Sequence, residues 1–68
     1  MTISLNGEPR EVANGATVLT AVEVAGVPAG GRGVAVAVDG EVVPQAAWPD
    51  THLTEGQAVE VLHAVQGG

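Results

Sequence analysis

Apolar and polar positions divide the chain into short segments separated by Asn-Gly, Asp-Gly and other glycine-containing turns. Residues 2–6 alternate between polar and apolar side chains and then meet Asn6-Gly7. An Asn-Gly pair after such alternation is the strongest short-range signal for a β-hairpin. The pattern therefore predicts a first strand over 2–6 and a second over about 8–12. Pro9 lacks a backbone donor, which favours an outer position in the sheet for the second strand.

After the second predicted strand, the spacing of apolar residues changes from the two-residue period of a strand to the 3.6-residue period of a helix. Thr17 is a suitable N-cap, so the spacing predicts a short helix over about residues 17–25. Thr20 lies where a capping box has Glu or Gln, which makes the start signal incomplete. Gly26 and Pro28 follow and favour the end of the helix. The predicted apolar face consists of Val18, Leu19 and Val22.

A glycine-rich segment at residues 29–33 follows the predicted helix. A phosphate-binding loop needs its glycines between a strand and the N-terminus of the next helix. Here a helix precedes the glycines and a strand follows them, so we interpret the segment as a connection rather than a nucleotide site.

The clearest strand in the sequence covers residues 34–38, where Val alternates with Ala. Asp39-Gly40 predicts a tight turn into a short strand over 41–43, and Pro44 again marks a sheet edge. The alternation predicts that the Val side chains face the core, and it leaves small Ala side chains on the opposite face of the sheet.

The C-terminal third combines an irregular segment with a last strand. Residues 45–57 show no period, and Trp48 within them is predicted to anchor the core or its rim rather than to bind a partner. Residues 58–65 predict a strand without Pro, as an internal position requires.

The order hairpin, helix, hairpin and final strand predicts an α+β fold. If the final strand pairs beside the first, between the two hairpins, the strands marked by Pro become outermost and the helix covers the apolar face. This is the ubiquitin-like β-grasp arrangement, a mixed sheet of four to five strands covered by one helix. We expect a domain over residues 1–64 and a flexible Gly-Gly tail over 65–68.

Composition narrows the classes of function. The net charge of −6, with only Arg10 and Arg32 as cations, disfavours nucleic acid and anionic membranes as partners. The absence of Cys excludes disulfides, thiolate zinc sites and a cysteine nucleophile. His52 and His63 lie on different elements with no completing ligands, so we predict no metal site and no catalytic residue. No segment resembles a membrane span or a leader, so we expect a cytoplasmic protein. Because the chain has no Cys and no Lys and offers no plausible catalytic triad, we expect that it is not an enzyme.

The last residues are Val65-Gln66-Gly67-Gly68, and they carry the strongest functional signal. Two residues without a side chain pass through a slot that excludes any Cβ, and they leave the Gly68 carboxylate unshielded. Chance places Gly at both final positions about one time in fifty in a chain with this glycine content. This ending suits a chain that delivers its carboxylate into another protein's active site, and the alternative at this point is a frayed terminus of a glycine-rich chain. Because the chain has no Lys, it cannot be extended through its own lysines.

Matches to a known family run along the sequence: they are Asn6-Gly7-Glu8, residues 33–38, residues 40–44, Trp48, Leu53, Glu55-Gly56, Val59-Glu60-Val61 and residues 64–68. On these residues the chain resembles the ThiS family, the β-grasp sulfur carriers of bacterial thiamine biosynthesis, over nearly its whole length. Asp39, Gln45 and Gln57 depart from the family, which usually has Asn, Arg and Asp there. Asp39-Gly40 still supports a tight turn. With Gln45 and Gln57 in place of Arg and Asp, we expect a surface ion pair or a partner contact of the family to be absent.

The resemblance implies a function for the tail. An E1-like adenylyltransferase of the ThiF type would join Gly68 to AMP with ATP and Mg²⁺, and a sulfur donor such as a cysteine desulfurase would convert it to a thiocarboxylate. Thiazole synthase of the ThiG type would then take the sulfur. Val65, Gln66 and Gly67 would thread the partner's channel, and the exposed sheet face would dock. The carrier would bind no cofactor itself and would be a monomer when free.

Two alternatives remain open on the sequence. One is a sister carrier that supplies sulfur for molybdopterin or another thiolated product, because the chemistry of the tail is the same. The other is a ubiquitin-like binding module whose tail is never activated. The second alternative predicts that removal of the tail is tolerated, whereas both carrier functions need Gly68.

Overall fold

The structure is a computed structural model, and it describes residues 1–27 and 32–63. The elements, in chain order, are β1 (Thr2–Leu5), β2 (Glu8–Glu11), α1 (Val18–Val24), β3 (Val34–Val38), β4 (Glu41–Val43), a 3₁₀-helix (Gln45–Asp50) and β5 (Ala58–His63). The predicted strands and helix are all present, with ends that agree within about one residue, and the predicted end of the last strand at residue 65 lies outside the described residues.

The five strands form one mixed sheet in the order β2-β1-β5-β3-β4. β1 and β5 are parallel, and the other neighbouring pairs are antiparallel. The predicted insertion of the last strand between the two hairpins is confirmed, and with it the β-grasp arrangement. β2 and β4 are outermost, as predicted from Pro9 within β2 and from Pro44 directly after β4.

The helix covers one face of the sheet and closes a single small core. β3 contributes Val36, which is buried, while Val34 and Val38 are half-buried and pack against the same cluster. The alternation in β3 therefore places its Val side chains as predicted. The buried cluster comprises Ile3, Leu5, Val18, Ala21, Val22, Val36, Trp48, Leu53, Val59 and Val61.

The start of α1 is better defined than its sequence suggests. Thr17 caps the helix by accepting a hydrogen bond from the Thr20 amide at 3.4 Å, and Thr20 Oγ1 accepts from the Thr17 amide at 3.2 Å. The expectation of an incomplete capping box is therefore wrong, because a hydroxyl oxygen fills the acceptor role of Glu. Gly26, with φ 79°, follows the end of α1 as predicted. Pro28 and most of the glycine-rich segment lie outside the described residues.

The segment predicted to be irregular begins with the 3₁₀-helix Gln45–Asp50, so that prediction is wrong in its first half. A helix this short has too few turns to produce an apolar period. Its purpose in the fold is to bury Trp48, which is 2% exposed and donates from Nε1 to the Val43 carbonyl oxygen at 3.0 Å. Trp48 is thus the predicted core anchor.

Candidate functional site

β5 is the central strand and leads directly into the C-terminal end of the chain. It pairs with β1 on one side and with β3 on the other, and His63 lies opposite Val34 at the start of β3. Residues 64–68 lie outside the described part, so the tail's boundary at 64/65 and the roles of Val65, Gln66, Gly67 and Gly68 stay predictions. The structure shows the strand from which this segment continues.

Two turns, one on each side of β5, share the same unusual backbone. Asn6 and Asp39 both have φ 51°, and each precedes a glycine with φ 85°. They are the non-glycine residues with positive φ among residues 1–27 and 32–63. Asn and Asp tolerate this left-handed conformation better than most residues. Both side chains then bind the backbone of β5.

Asp39 holds the beginning of β5. Its Oδ1 accepts from the Ala58 amide at 2.9 Å, and its own amide donates to the Ala58 carbonyl oxygen at 2.7 Å. Its Oδ2 accepts from Gln57 Nε2 at 3.2 Å, while Gln57 Oε1 accepts from the Thr54 amide at 2.8 Å. Two of the departures from the family pattern, Asp39 and Gln57, therefore contact each other. The expected loss of a family ion pair or partner contact at Gln45 and Gln57 stays a prediction.

Asn6 holds β5 nearer to its end. The Asn6 amide donates to the Val59 carbonyl oxygen at 2.9 Å. In addition, Asn6 Oδ1 accepts from the Val61 amide at 2.8 Å, and Nδ2 donates to the Val61 carbonyl oxygen at 3.2 Å. The side chain thus satisfies both backbone groups of Val61 after β1 itself has ended at Leu5.

The sheet face away from α1 carries an apolar surface, which we call the open face: Ala35, Ala37, Val42, Glu60 and Leu62. Val42 is 73% exposed and Leu62 is 64% exposed, although both belong to strands. By strand register Ala37 lies between Val42 and Glu60, and Ala35 lies opposite Leu62. The small alanines predicted on this face are thus flanked by two large exposed side chains that suit contact with another protein.

The two histidines lie on different elements, as predicted. His52 pairs with Thr17 in an isolated β-bridge, and His63 is exposed at the end of β5. Within residues 1–27 and 32–63, no three His, Asp or Glu residues lie close enough to hold a metal ion. None of the helices in this part of the chain is long and apolar enough to cross a membrane.

The sequence analysis did not identify three residues that now belong to the site. Asn6 was assigned only to a turn, because Asn-Gly is common in hairpins and nothing local reveals a partner 55 positions away. Val42 and Leu62 were not singled out either. The sequence does indicate both residues, because side chains alternate along a strand and these two occupy the positions that face away from the core.

Comparisons with known proteins agree on one family. The family model that describes the ThiS family matches residues 3–68. A crystal structure of the thiamine biosynthesis protein ThiS from Geobacter metallireducens is 33% identical, with a TM-score of 0.78 and full coverage of both chains. An NMR solution structure of a thiamine biosynthesis protein from Geobacter metallireducens is 31% identical, with a TM-score of 0.80, over 100% of this chain and 88% of that chain. A comparison with curated proteins found no match. On the family match and the shared fold, the chain belongs to the ThiS family.

Proposed function

We propose that this protein is a sulfur carrier of thiamine biosynthesis and acts as a carrier rather than a catalyst. The observation that carries the proposal is that the family match runs through residue 68 and so includes Gly67-Gly68. The likeness to two thiamine biosynthesis proteins supports the pathway. We also propose a cytoplasmic location, because activation of the tail consumes ATP.

The Gly68 carboxylate is a poor acyl donor, because it has a poor leaving group, and must therefore be activated first. A partner adenylyltransferase, using ATP and Mg²⁺, joins the Gly68 carboxylate to AMP and releases pyrophosphate. A persulfide formed by a cysteine desulfurase displaces AMP, and a thiol cleaves the resulting acyl disulfide to free the thiocarboxylate. Thiazole synthase then receives the sulfur. A segment of five residues can reach about 15 Å when fully extended, which is enough to enter a buried site.

The body contributes a surface on which partners dock. Exposed Val42 and Leu62 supply apolar area around the small Ala35 and Ala37, and α1 is on the opposite side of the sheet. β5 contributes to this surface and also leads into the tail, so docking on the open face places the tail near the partner's channel. A preformed sheet loses little conformational freedom on binding.

The test of the proposed function is the intact mass of the protein. After incubation with a thiamine-pathway adenylyltransferase, Mg-ATP, a cysteine desulfurase and cysteine, we expect the mass increase that replaces one oxygen by sulfur. Deletion of Gly68 should abolish it. Gly67→Val should block it as well, because a side chain at this position obstructs the channel, while the circular dichroism spectrum stays unchanged.

The outcomes separate the three candidate functions. A mass increase only with a molybdopterin-pathway enzyme would support the sister carrier. No increase with either enzyme would contradict both carrier functions and would leave a binding module.

Docking on the open face has its own variant and matched control. Leu62→Glu places a second carboxylate beside Glu60 on this face, so we expect binding to the adenylyltransferase to weaken at least tenfold. Val24→Glu is the control, because Val24 is a partly exposed apolar residue of the helix on the other side of the sheet. Equal binding of the two variants would contradict the assignment of the open face.

A further inference from the structure

We infer that Asn6 is a positioning residue for the tail: its side chain replaces the missing next residue of β1 and fixes β5 as far as Val61. This inference rests on the proposed function, because it matters only if the tail must enter a partner's active site. It concerns a residue whose side chain binds the backbone of β5 and which, in this proposal, does not contact the partner.

β1 ends before β5 does, so part of β5 has no neighbouring strand on the β1 side among the described residues. β1 pairs with β5 over only Ser4↔Ala58 and Leu5↔Val59, and the chain then turns away at Asn6. Backbone groups along a strand alternate between its two sides, so the next amide and carbonyl of β5 that point toward β1 are those of Val61. Without a substitute for β1, the Val61 amide and carbonyl groups would lose their partners on this side.

The side chain of Asn6 meets two requirements here, a donor and an acceptor for Val61 and tolerance of a positive φ. The carboxamide of Asn6 has an acceptor and a donor, and it binds the Val61 amide at 2.8 Å and the Val61 carbonyl at 3.2 Å, as a peptide group would. Asp is isosteric but has no donor, and Gly fits the φ of 51° but has no side chain. Asn also tolerates that φ.

The position of Val61 near the end of β5 connects the strand to the tail. Within residues 1–27 and 32–63, β3 pairs with β5 as far as His63, and Val61 is the last residue at which the β1 side of the sheet holds β5. Release of Val61 would let the end of β5 fray. The tail would then start from a less defined point, and more backbone would have to be ordered when Gly68 enters the channel.

The test compares Asn6→Asp with Asp39→Asn in the full-length chain. Both are isosteric exchanges in equivalent turns, but Asp39 holds Ala58, at the far end of β5 from the tail. For the adenylyltransferase, we expect Asn6→Asp to raise KM roughly tenfold and to leave kcat within about twofold, because the ordering cost falls on binding. Asp39→Asn should leave both constants unchanged. The Val61 amide should exchange hydrogen faster in Asn6→Asp alone.

A second background distinguishes positioning from direct contact. In Gly67→Val, the body still docks but the tail cannot enter, so adding Asn6→Asp should not change the inhibition constant against the wild-type chain. A larger inhibition constant in this background, which means weaker binding, would show that Asn6 contacts the partner directly. That result would overturn the inference.

The remaining outcomes are also decisive. If the wild-type chain gains sulfur but Asn6→Asp has an unchanged KM or an unchanged exchange rate at Val61, the inference is wrong and the proposed function stands. If the wild-type chain gains no sulfur with any adenylyltransferase, the proposed function fails and the positioning role fails with it.

Discussion

The turns at Asn6-Gly7 and Asp39-Gly40 have the same backbone and hold the same strand, yet they use different side-chain chemistry. Asn6 binds the amide and the carbonyl of one residue, Val61, with its donor and its acceptor. Asp39 uses two acceptors, one for the Ala58 amide and one for Gln57, while its own backbone amide satisfies the Ala58 carbonyl. Each side chain therefore matches the backbone groups that its own turn leaves unpaired.

The two turns are therefore not interchangeable, although their φ angles are equal. The backbone requirement selects Asn, Asp or Gly at both positions. The choice among these residues depends on contacts with β5, which are distant in sequence. Variants that exchange the side chains separate these two requirements.

The largest effect is expected from exchanging the two residues, as Asn6→Asp with Asp39→Asn. This double variant keeps the composition and the net charge, so only the placement of donors and acceptors changes. The two sites share no hydrogen-bond partner, and we expect their losses to add to about 3 kcal/mol in the free energy of unfolding. Urea unfolding measures it. A loss smaller than that of Asn6→Asp alone would show that the turns compensate each other.

Asn6→Asp alone is expected to lower the free energy of unfolding by about 2 kcal/mol. The variant leaves the Val61 carbonyl without its donor and places a negative charge beside it. Urea unfolding gives the loss, and a stability equal to wild type would mean that the Nδ2 contact contributes nothing.

Gly7→Ala and Gly40→Ala should each cost about 1 kcal/mol, and the two losses should agree. Both glycines have φ 85°, and a Cβ at either would meet no atom within 4 Å, so backbone strain is the shared cause. Thermal unfolding of the two variants is the measurement. Clearly unequal losses would contradict the equivalence of the two backbones.

The smallest effect is expected from Asp39→Asn, about 0.5–1 kcal/mol. The new Nδ2 faces the Gln57 Nε2 donor, and Gln57 cannot rotate without losing the Thr54 amide. Adding Gln57→Glu to Asp39→Asn supplies one acceptor oxygen to the Thr54 amide and another to the new Nδ2 at position 39, and it should restore stability. If the double variant is no more stable than Asp39→Asn, Asp39 and Gln57 are not coupled.

The fold was predictable because its signals are local. Asn6-Gly7 and Asp39-Gly40 define hairpins by themselves, and Pro9 and Pro44 identify the outer strands, from which the strand order follows. The 3₁₀-helix was missed because a segment this short has no period, although its Trp48 was correctly assigned to the core.

Gly67 and Gly68 stand out in the sequence, but they lie outside the described residues and their role stays a prediction. The contacts of Asn6 with Val61 and of Asp39 with Ala58 could not be predicted, because they cross 55 and 19 positions. No local pattern encodes such contacts. The open face lies between these cases, since parity identifies Leu62 but only the packed helix shows which parity is exposed.

The most direct test of sulfur transport starts from a chain that already carries the Gly68 thiocarboxylate, released from an intein fusion with sulfide. Incubated with thiazole synthase and its other substrates, this chain should yield thiazole in an amount equal to the thiocarboxylate lost, and its mass should return to that of the carboxylate. If the thiocarboxylate persists and no thiazole forms, while a ThiS thiocarboxylate of established activity supports the reaction, the protein is not the sulfur carrier proposed here.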